Sequence, residues 1–277
     1  MTLSTRQLRE LVSRRSRGAR GIRRPDSGTR RAASGIRRPS GPAKTGVAVA
    51  ALVIVAVLVA AARGSSGGGN PATRAVSVVA GPVQTVELQG VPGQVTILGR
   101  VTSRVTLTGE LHSSGAGTVV ASQRDNGRVL RLYYRCAAAT SCTESLLLVV
   151  PWRTAIVLRQ PAGHVVMSGL AGPLRITASN VDISATGLRS PSMTASITSG
   201  HLSAAFAKAP GRVGIMLLSS QATLRLPASV RYAVRSQVTS GYVQVGLPQA
   251  SRSAHLITVR IVSGELSLLP NAAAQSR

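Results

Sequence analysis

The sequence predicts an all-β chain, built as a β-helix-like solenoid of short strands or as a β-sandwich, preceded by one transmembrane helix and a disordered basic tail. Three observations predict it. From Ala75 onward, apolar and polar residues alternate in runs of five to eight closed by Gly, Pro, Ser or Asn, which is the strand signature. Only one Trp, four Tyr and one Phe occur in 277 residues, so a core must be built from Val, Leu, Ile and Ala, and branched side chains favour strands. Finally, one uncharged apolar run divides a chain in which 33 Lys and Arg face 8 Asp and Glu, a formal net charge of +25. A hydrophobic fraction of 44% excludes a wholly disordered chain, and 28 Gly with 14 Pro in no three-residue period exclude collagen.

Met1 to Lys44 carries 13 basic and two acidic residues, a net of +11, without an apolar pattern. Gly21-Ile22-Arg23-Arg24-Pro25 recurs as Gly35-Ile36-Arg37-Arg38-Pro39. Such a composition buries no core and predicts a disordered cytoplasmic tail over residues 1–44. Its basic residues, Arg23, Arg24, Arg30, Arg31, Arg37, Arg38 and Lys44 among them, are expected to face anionic lipid at the cytoplasmic side, at about 1 kcal/mol per residue near the surface. Nucleic acid fits less well, because the tail has no aromatic residue for base stacking.

Residues 45–62 carry no charge and are almost wholly Ala, Val, Leu and Ile after Gly46. As a helix they would reach about 27 Å, enough for a bilayer core. A buried core helix would show a polar face, and this run is apolar all round. Ala60-Ala61-Ala62 also suits signal-peptide cleavage, but the preceding basic region is longer than a signal peptide's. The reading is an uncleaved signal anchor with the N-terminus inside, because the basic residues lie on that side. Residues 63–74 then form a Gly/Ser-rich linker, 75–270 an extracytoplasmic β-strand-repeat domain, and 271–277 a C-terminal tail.

Within 75–270, strands are expected around Val83 to Gln89, Gln94 to Leu98, Arg104 to Leu111, Arg128 to Tyr134, Leu146 to Val150, Ala155 to Arg159, Leu174 to Ala178, Val181 to Ser184, Gly214 to Leu218 and Ile257 to Ile261. Several turns share a formula: Thr198-Ser199-Gly200-His201-Leu202, Thr239-Ser240-Gly241-Tyr242-Val243 and Val262-Ser263-Gly264-Glu265-Leu266, with a looser version at Ser168-Gly169. Stacked rungs would explain this, each strand ending at a tight turn where Gly takes a positive φ. A β-sandwich has connections of similar frequency, and both architectures stay open.

With its Ser-Gly turns, and with strand-closing prolines in Leu146-Leu147-Leu148-Val149-Val150-Pro151 and Leu224-Arg225-Leu226-Pro227, the chain resembles a family of bacterial, actinobacterial-type, membrane-anchored β-strand-repeat envelope proteins that are adhesin-like and of unknown function. The resemblance covers roughly Val83 to Pro270. It implies a β-helix-like solenoid outside a membrane, in some members linked to envelope stress, with no catalytic residues to carry over.

Cys136 and Cys142 are the only cysteines, and in an oxidising compartment a disulfide is the leading reading. Closing so short a ring would stabilise by roughly 2 kcal/mol. His112, His164, His201 and His255 lie far apart in sequence, which gives no metal set. The six acids beyond the span, Glu87, Glu110, Asp125, Glu144, Asp182 and Glu265, carry no local hydrolase signature. No catalytic residue, metal or cofactor is therefore expected. From Arg63 onward 20 basic residues face six acids, and Arg175, Arg225, Arg235 and Arg260 occupy outward strand positions as a candidate anion-binding surface. The expectation is a non-enzymatic binding or structural module of the bacterial envelope that engages anionic wall polymers or lipids. A transmembrane envelope-stress signalling component is the alternative, separable by deleting Met1 to Arg38, and a wall-polymer hydrolase ranks behind both.

Overall fold

The computed structural model describes residues 56–60, 72–90, 92–113, 117–136 and 142–271, all within one compact unit, Ala51–Arg277. The elements among them are strands joined in one hydrogen-bonded network.

The C-terminal part is a parallel ladder. β9 (Ala155–Ser168), β10 (Leu174–Leu188), β11 (Ser192–Phe206) and β12 (Arg212–Leu226) lie side by side in chain order. β14 (Leu256–Pro270) pairs with β12, and β13 (Ala233–Val245) lies beyond β14 at the end of the row. Register is continuous: Ile156 opposes Leu174, Leu174 opposes Met193, and Ser192 opposes Arg212.

The long strands change face at a bend near their middle. In β10, Leu174, Ile176 and Ala178 are buried, Ser179 and Asn180 are both exposed, and burial resumes at Val181, Ile183 and Ala185. Side chains alternate with period two, so two successive outward residues keep both apolar sets on the core only if the strand bends between them. β11, β12 and β14 repeat this change of phase. At the bend a register column runs Gly163, Val181, Gly200, Ser220, Gly264, Gly241. Val181 and Ser220 are each flanked by glycine on both neighbouring strands. A Cβ on Gly200 would overlap the backbone oxygen of Val181, and one on Gly264 that of Ser220. With φ of 107° and 134° both also adopt a conformation that L side chains rarely take.

Toward the N-terminus the ladder divides. The first half of β9 pairs with β3 (Thr85–Gln89) and its second half with β4 (Gly93–Arg100). β7 (Val129–Cys136) continues from β3, and β8 (Cys142–Pro151) from β4, all parallel. The outer strands are antiparallel: β5 (Val105–Ser113) on β8, β6 (Gly117–Arg124) on β7, and β2 (Ala72–Ala80) on β5. A single apolar cluster runs from Val76 in β2 to Leu268 in β14.

Three expectations need correcting. The looser Ser168-Gly169 does close β9, but the three full Ser-Gly formulas do not end strands; they lie in the middle of β11, β13 and β14, because glycine lets the ladder continue through the bend. Ala72 to Arg74, expected in the linker, already belong to β2, paired with Ser113 to Leu111. Within the expected transmembrane helix, Ala56–Ala60 form a strand, β1, antiparallel to β2 from Ala56 on Val79 to Ala60 on Ala75. The physical reason is that an apolar Ala/Val run carries no periodicity to separate helix from strand, and β2 presents an edge for it to pair with. No helix among the described residues is long and apolar enough to cross a membrane. Residues 1–55, 61–71 and 272–277 lie outside the described residues, and with them the basic tail, the rest of the expected span and most of the linker.

Candidate functional site

The parallel register decides which outward residues meet. Arg175, Thr194, Gly214, Thr258 and Arg235 form one row across five strands, so Arg175 and Arg235 stand about 19 Å apart at ~4.8 Å per strand. Arg260 lies two residues beyond Thr258, which makes Arg235 and Arg260 diagonal neighbours on β13 and β14, about 7–8 Å apart. Arg225 is on the other side of the bend in β12, opposite Leu269. Of the four arginines expected to form an anion-binding surface, the fold thus brings only Arg235 and Arg260 close together. All four are exposed, and none forms an ion pair among the described residues.

A second outward row runs along the bend: Gln94, His164, Asp182, His201, Gln221, Glu265, Tyr242. Histidines far apart in sequence are therefore close in space, with His164 and His201 on either side of Asp182. His201 Nδ1 lies 3.1 Å from Asp182 Oδ1. The Tyr242 hydroxyl donates to Glu265 Oε2 at 3.0 Å; that bond and the charge of Glu265 raise the phenol above its ordinary value. A groove of about 480 Å³ follows this row, between His201, Ser220, Gln221, Gly241, Gly264 and Glu265. Of its serines, Ser220 is committed to the scaffold, since its Oγ donates to the Ile197 carbonyl at 3.2 Å. No group of ligands among the described residues could hold a metal ion.

The remaining acids are dispersed. Glu87 pairs with Arg131 at 2.7 Å across β3 and β7, and Glu110 with His112 at 3.5 Å. Glu144 is buried, and its Oε1 accepts from Gln160 Nε2 at 3.2 Å. Burial, and after it the nearby charge of Glu144, push the Tyr134 phenol far up, so tyrosine stays neutral beside the carboxylate. Cys136 ends β7 and Cys142 opens β8, where it is buried. The side chain of Cys136 lies outside the described residues. The expected lipid-facing cations Arg23, Arg24, Arg30, Arg31, Arg37, Arg38 and Lys44 lie outside them too.

Reading cations strand by strand missed a group at the turns. Arg100, Arg153, Arg189 and Lys208 surround Trp152 where consecutive strands of the ladder end. The signal was available: a basic residue stands within two positions of a turn proline in Pro151-Trp152-Arg153, Arg189-Ser190-Pro191 and Lys208-Ala209-Pro210.

No protein-family model matches the chain, and no curated protein matches it. Among solved structures it is similar to a proposed adhesin from Bacteroides fragilis, with a TM-score of 0.42 and 8% identity over 74% of this chain and 100% of that one. A proposed cell adhesion protein from Clostridium sporogenes has a TM-score of 0.40 and 13% identity, over 73% of this chain and 100% of that one. A proposed lipid-binding protein from Parabacteroides distasonis has a TM-score of 0.30 and 12% identity, over 73% and 98%. Two of the three are described as adhesion proteins, the class that the sequence resembles, and likenesses this distant say nothing about what this chain binds.

Proposed function

We propose that this protein is a non-catalytic binding or structural module of a bacterial cell envelope, and that it engages anionic wall polymers or lipids through its cationic surface. The observation that carries the reading is the surplus of outward cations left without carboxylate partners: Arg175, Arg225, Arg235 and Arg260 on the strands, and Arg100, Arg153, Arg189 and Lys208 on the turns, form no ion pair among the described residues. Such a surface attracts polyanions over a screening length of about 8–10 Å at moderate salt. The test is cosedimentation of the full-length protein with purified wall material over a salt series. Binding that weakens steeply with salt supports the proposal; salt-independent binding, or none, removes it.

The architecture proposed with this function is a solenoid. A straight strand of 15 residues, such as β10, would be about 50 Å long. Only residues 189–191 separate β10 from β11, and three residues span about 10 Å. A parallel, in-register partner is reached over so short a connection if each strand turns back on itself at its bend, which supports a coil over a sandwich.

Anchoring belongs to the same proposal. Residues 45–62 span the cell membrane once, with the N-terminus cytoplasmic, the tail on anionic lipid and the β unit outside, where Cys136 and Cys142 form a disulfide. A helical span and the pairing of Ala56–Ala60 with β2 exclude each other, so the anchored form releases that strand. Labelling of single cysteines placed at Thr45 and Ser65 in a cysteine-free background tests this. Opposite accessibility across the intact membrane supports the span, and equal accessibility refutes it.

A further inference from the structure

The turns that close β4, β8, β9, β10 and β11 stack on one another along one edge of the ladder. Backbone hydrogen bonds join them: Trp152 N–H to the Arg100 carbonyl at 2.9 Å, Ala171 N–H to the Trp152 carbonyl at 2.6 Å, Arg189 N–H to the Leu170 carbonyl at 2.8 Å, and Lys208 N–H to the Leu188 carbonyl at 3.2 Å. The side chains on these turns therefore stand on a backbone fixed strand by strand. Two cavities open along this edge, one of about 300 Å³ between Arg100, Val101, Trp152 and Arg189, the other of about 440 Å³ between Trp152, Arg153, Arg189 and Lys208. Trp152 and Arg189 line both, so the two cavities adjoin along the strand ends as one turn groove.

The lining sets four cations and one aromatic among small glycine, alanine and proline residues, with no carboxylate. Arg100, Arg153, Arg189 and Lys208 are exposed, while Trp152 is half-buried with the Arg153 guanidinium 4.6 Å from its ring. From the turn of β8 to that of β11 the hydrogen bonds make three turn-to-turn steps, about 14 Å at ~4.8 Å per step. Positive charges on four neighbouring turns, with none from the intervening turn of β9, suit a linear polyanion better than a single small anion. The half-buried indole carries the Arg153 guanidinium over one face, and its remaining exposed area offers a surface for the apolar face of a sugar ring, as aromatic side chains do when they bury apolar area.

We propose that this turn groove binds a linear, phosphate-bearing glycan, with Arg100, Arg189 and Lys208 on its phosphates and Trp152 against a sugar ring. The proposal rests on the anion-binding reading above and gives it a site and a partner class. A bilayer fits less well, because apolar side chains would have to project beyond the cations, and Val101 alone does so, at 97% exposure. A nucleic acid strand would call for a succession of stacking aromatics, where the groove has one.

Trp152 is the only tryptophan of the chain, so its emission reports this groove and not the basic tail. The experiment titrates full-length protein with a purified hexose polymer linked through phosphodiesters, uncharged dextran, phosphatidylglycerol vesicles and single-stranded DNA, following both binding and Trp152 fluorescence. The phosphate polymer should bind and shift the emission, whereas dextran should do neither. The double variant Arg189→Glu, Lys208→Glu should weaken binding by about tenfold or more, the loss expected when charged hydrogen bonds are removed. Polymer binding that leaves the emission unchanged and ignores the turn variant overturns the groove while sparing the broader reading. No binding to any polyanion at low salt overturns both. A larger, variant-sensitive emission shift with vesicles or DNA keeps the groove and overturns the glycan.

Discussion

The two ends of the ladder solve the same geometric problem differently. In the C-terminal part a rung is one strand of 15 residues, as in β10, β11, β12 and β14, and it bends without leaving the ladder. Toward the N-terminus the equivalent rung is two strands, β3 with β4 and β7 with β8. Pro92 stands in the first of these breaks, and proline has no N–H to give to a ladder. At Gly200 and Gly264 the bend carries glycine with a positive φ, and pairing runs straight through. The difference teaches that a rung can be carried by one bent strand or by two, while the core on either side of the corner is the same: Val86 and Leu88, then Val95 and Ile97, are buried in the broken rung as Ile176, Val181 and Ile183 are in the continuous one.

The largest effect is expected where conformation and contact both demand glycine. Gly264→Ala should destabilise by about 3 kcal/mol, combining an unfavourable φ with overlap on the backbone of Ser220. Gly93→Ala meets the backbone of Glu144 beside the break at Pro92, and its cost should be smaller because a broken rung has more freedom to shift. Urea unfolding of both variants compares the corners; equal costs would show that the break confers no freedom. Ser220→Ala should cost about 1 kcal/mol by removing the buried bond to the Ile197 carbonyl.

Tyr232 tests the turn end of the same half by pH. Its buried hydroxyl donates to the Pro227 carbonyl at 2.9 Å, and burial raises the phenol from 10.0 to about 12. A raised value means that the folded state holds the proton more tightly. The associated stability is whole below pH 10 and lost as pH rises toward 12, because the unfolded chain ionises first. Tyr232→Phe should cost about 1 kcal/mol at neutral pH, and its deficit should shrink between pH 10 and 12. A deficit constant across that range would show that Tyr232 does not carry the alkaline loss.

The smallest change sharpens the argument by its sign. Gly214 lies in β12 as well, but there a Cβ would meet only the Thr194 side chain, at 3.8 Å. Gly214→Ala should be neutral or stabilising by about 0.5 kcal/mol through the unfolded state. Destabilisation by as much as Gly264→Ala would mean that glycine is required throughout these strands and not at the corner.

Much of the fold was legible because burial of one face imposes period two on sequence. Leu174, Ile176 and Ala178, and then Val181 and Ile183, announce their strands unaided. The fusion of these two runs into β10 was not legible, since the outward pair Ser179 and Asn180 reads as a turn. The candidate site was less legible still. Arg175 and Arg235 are correctly outward, but a row of register partners joins residues 60 positions apart in the chain, and alternation is silent about register.

By itself the sequence determined the all-β class and the inward aliphatic set, because these follow from local alternation. Tertiary structure alone decided that β14 lies between β12 and β13, that His164, Asp182 and His201 are neighbours, and that Trp152 gathers four cations around it. Those are matters of which backbone edge pairs with which. Edges present nearly the same row of donors and acceptors whatever their side chains, so the choice is made by packing across the whole core and not by any local run of residues.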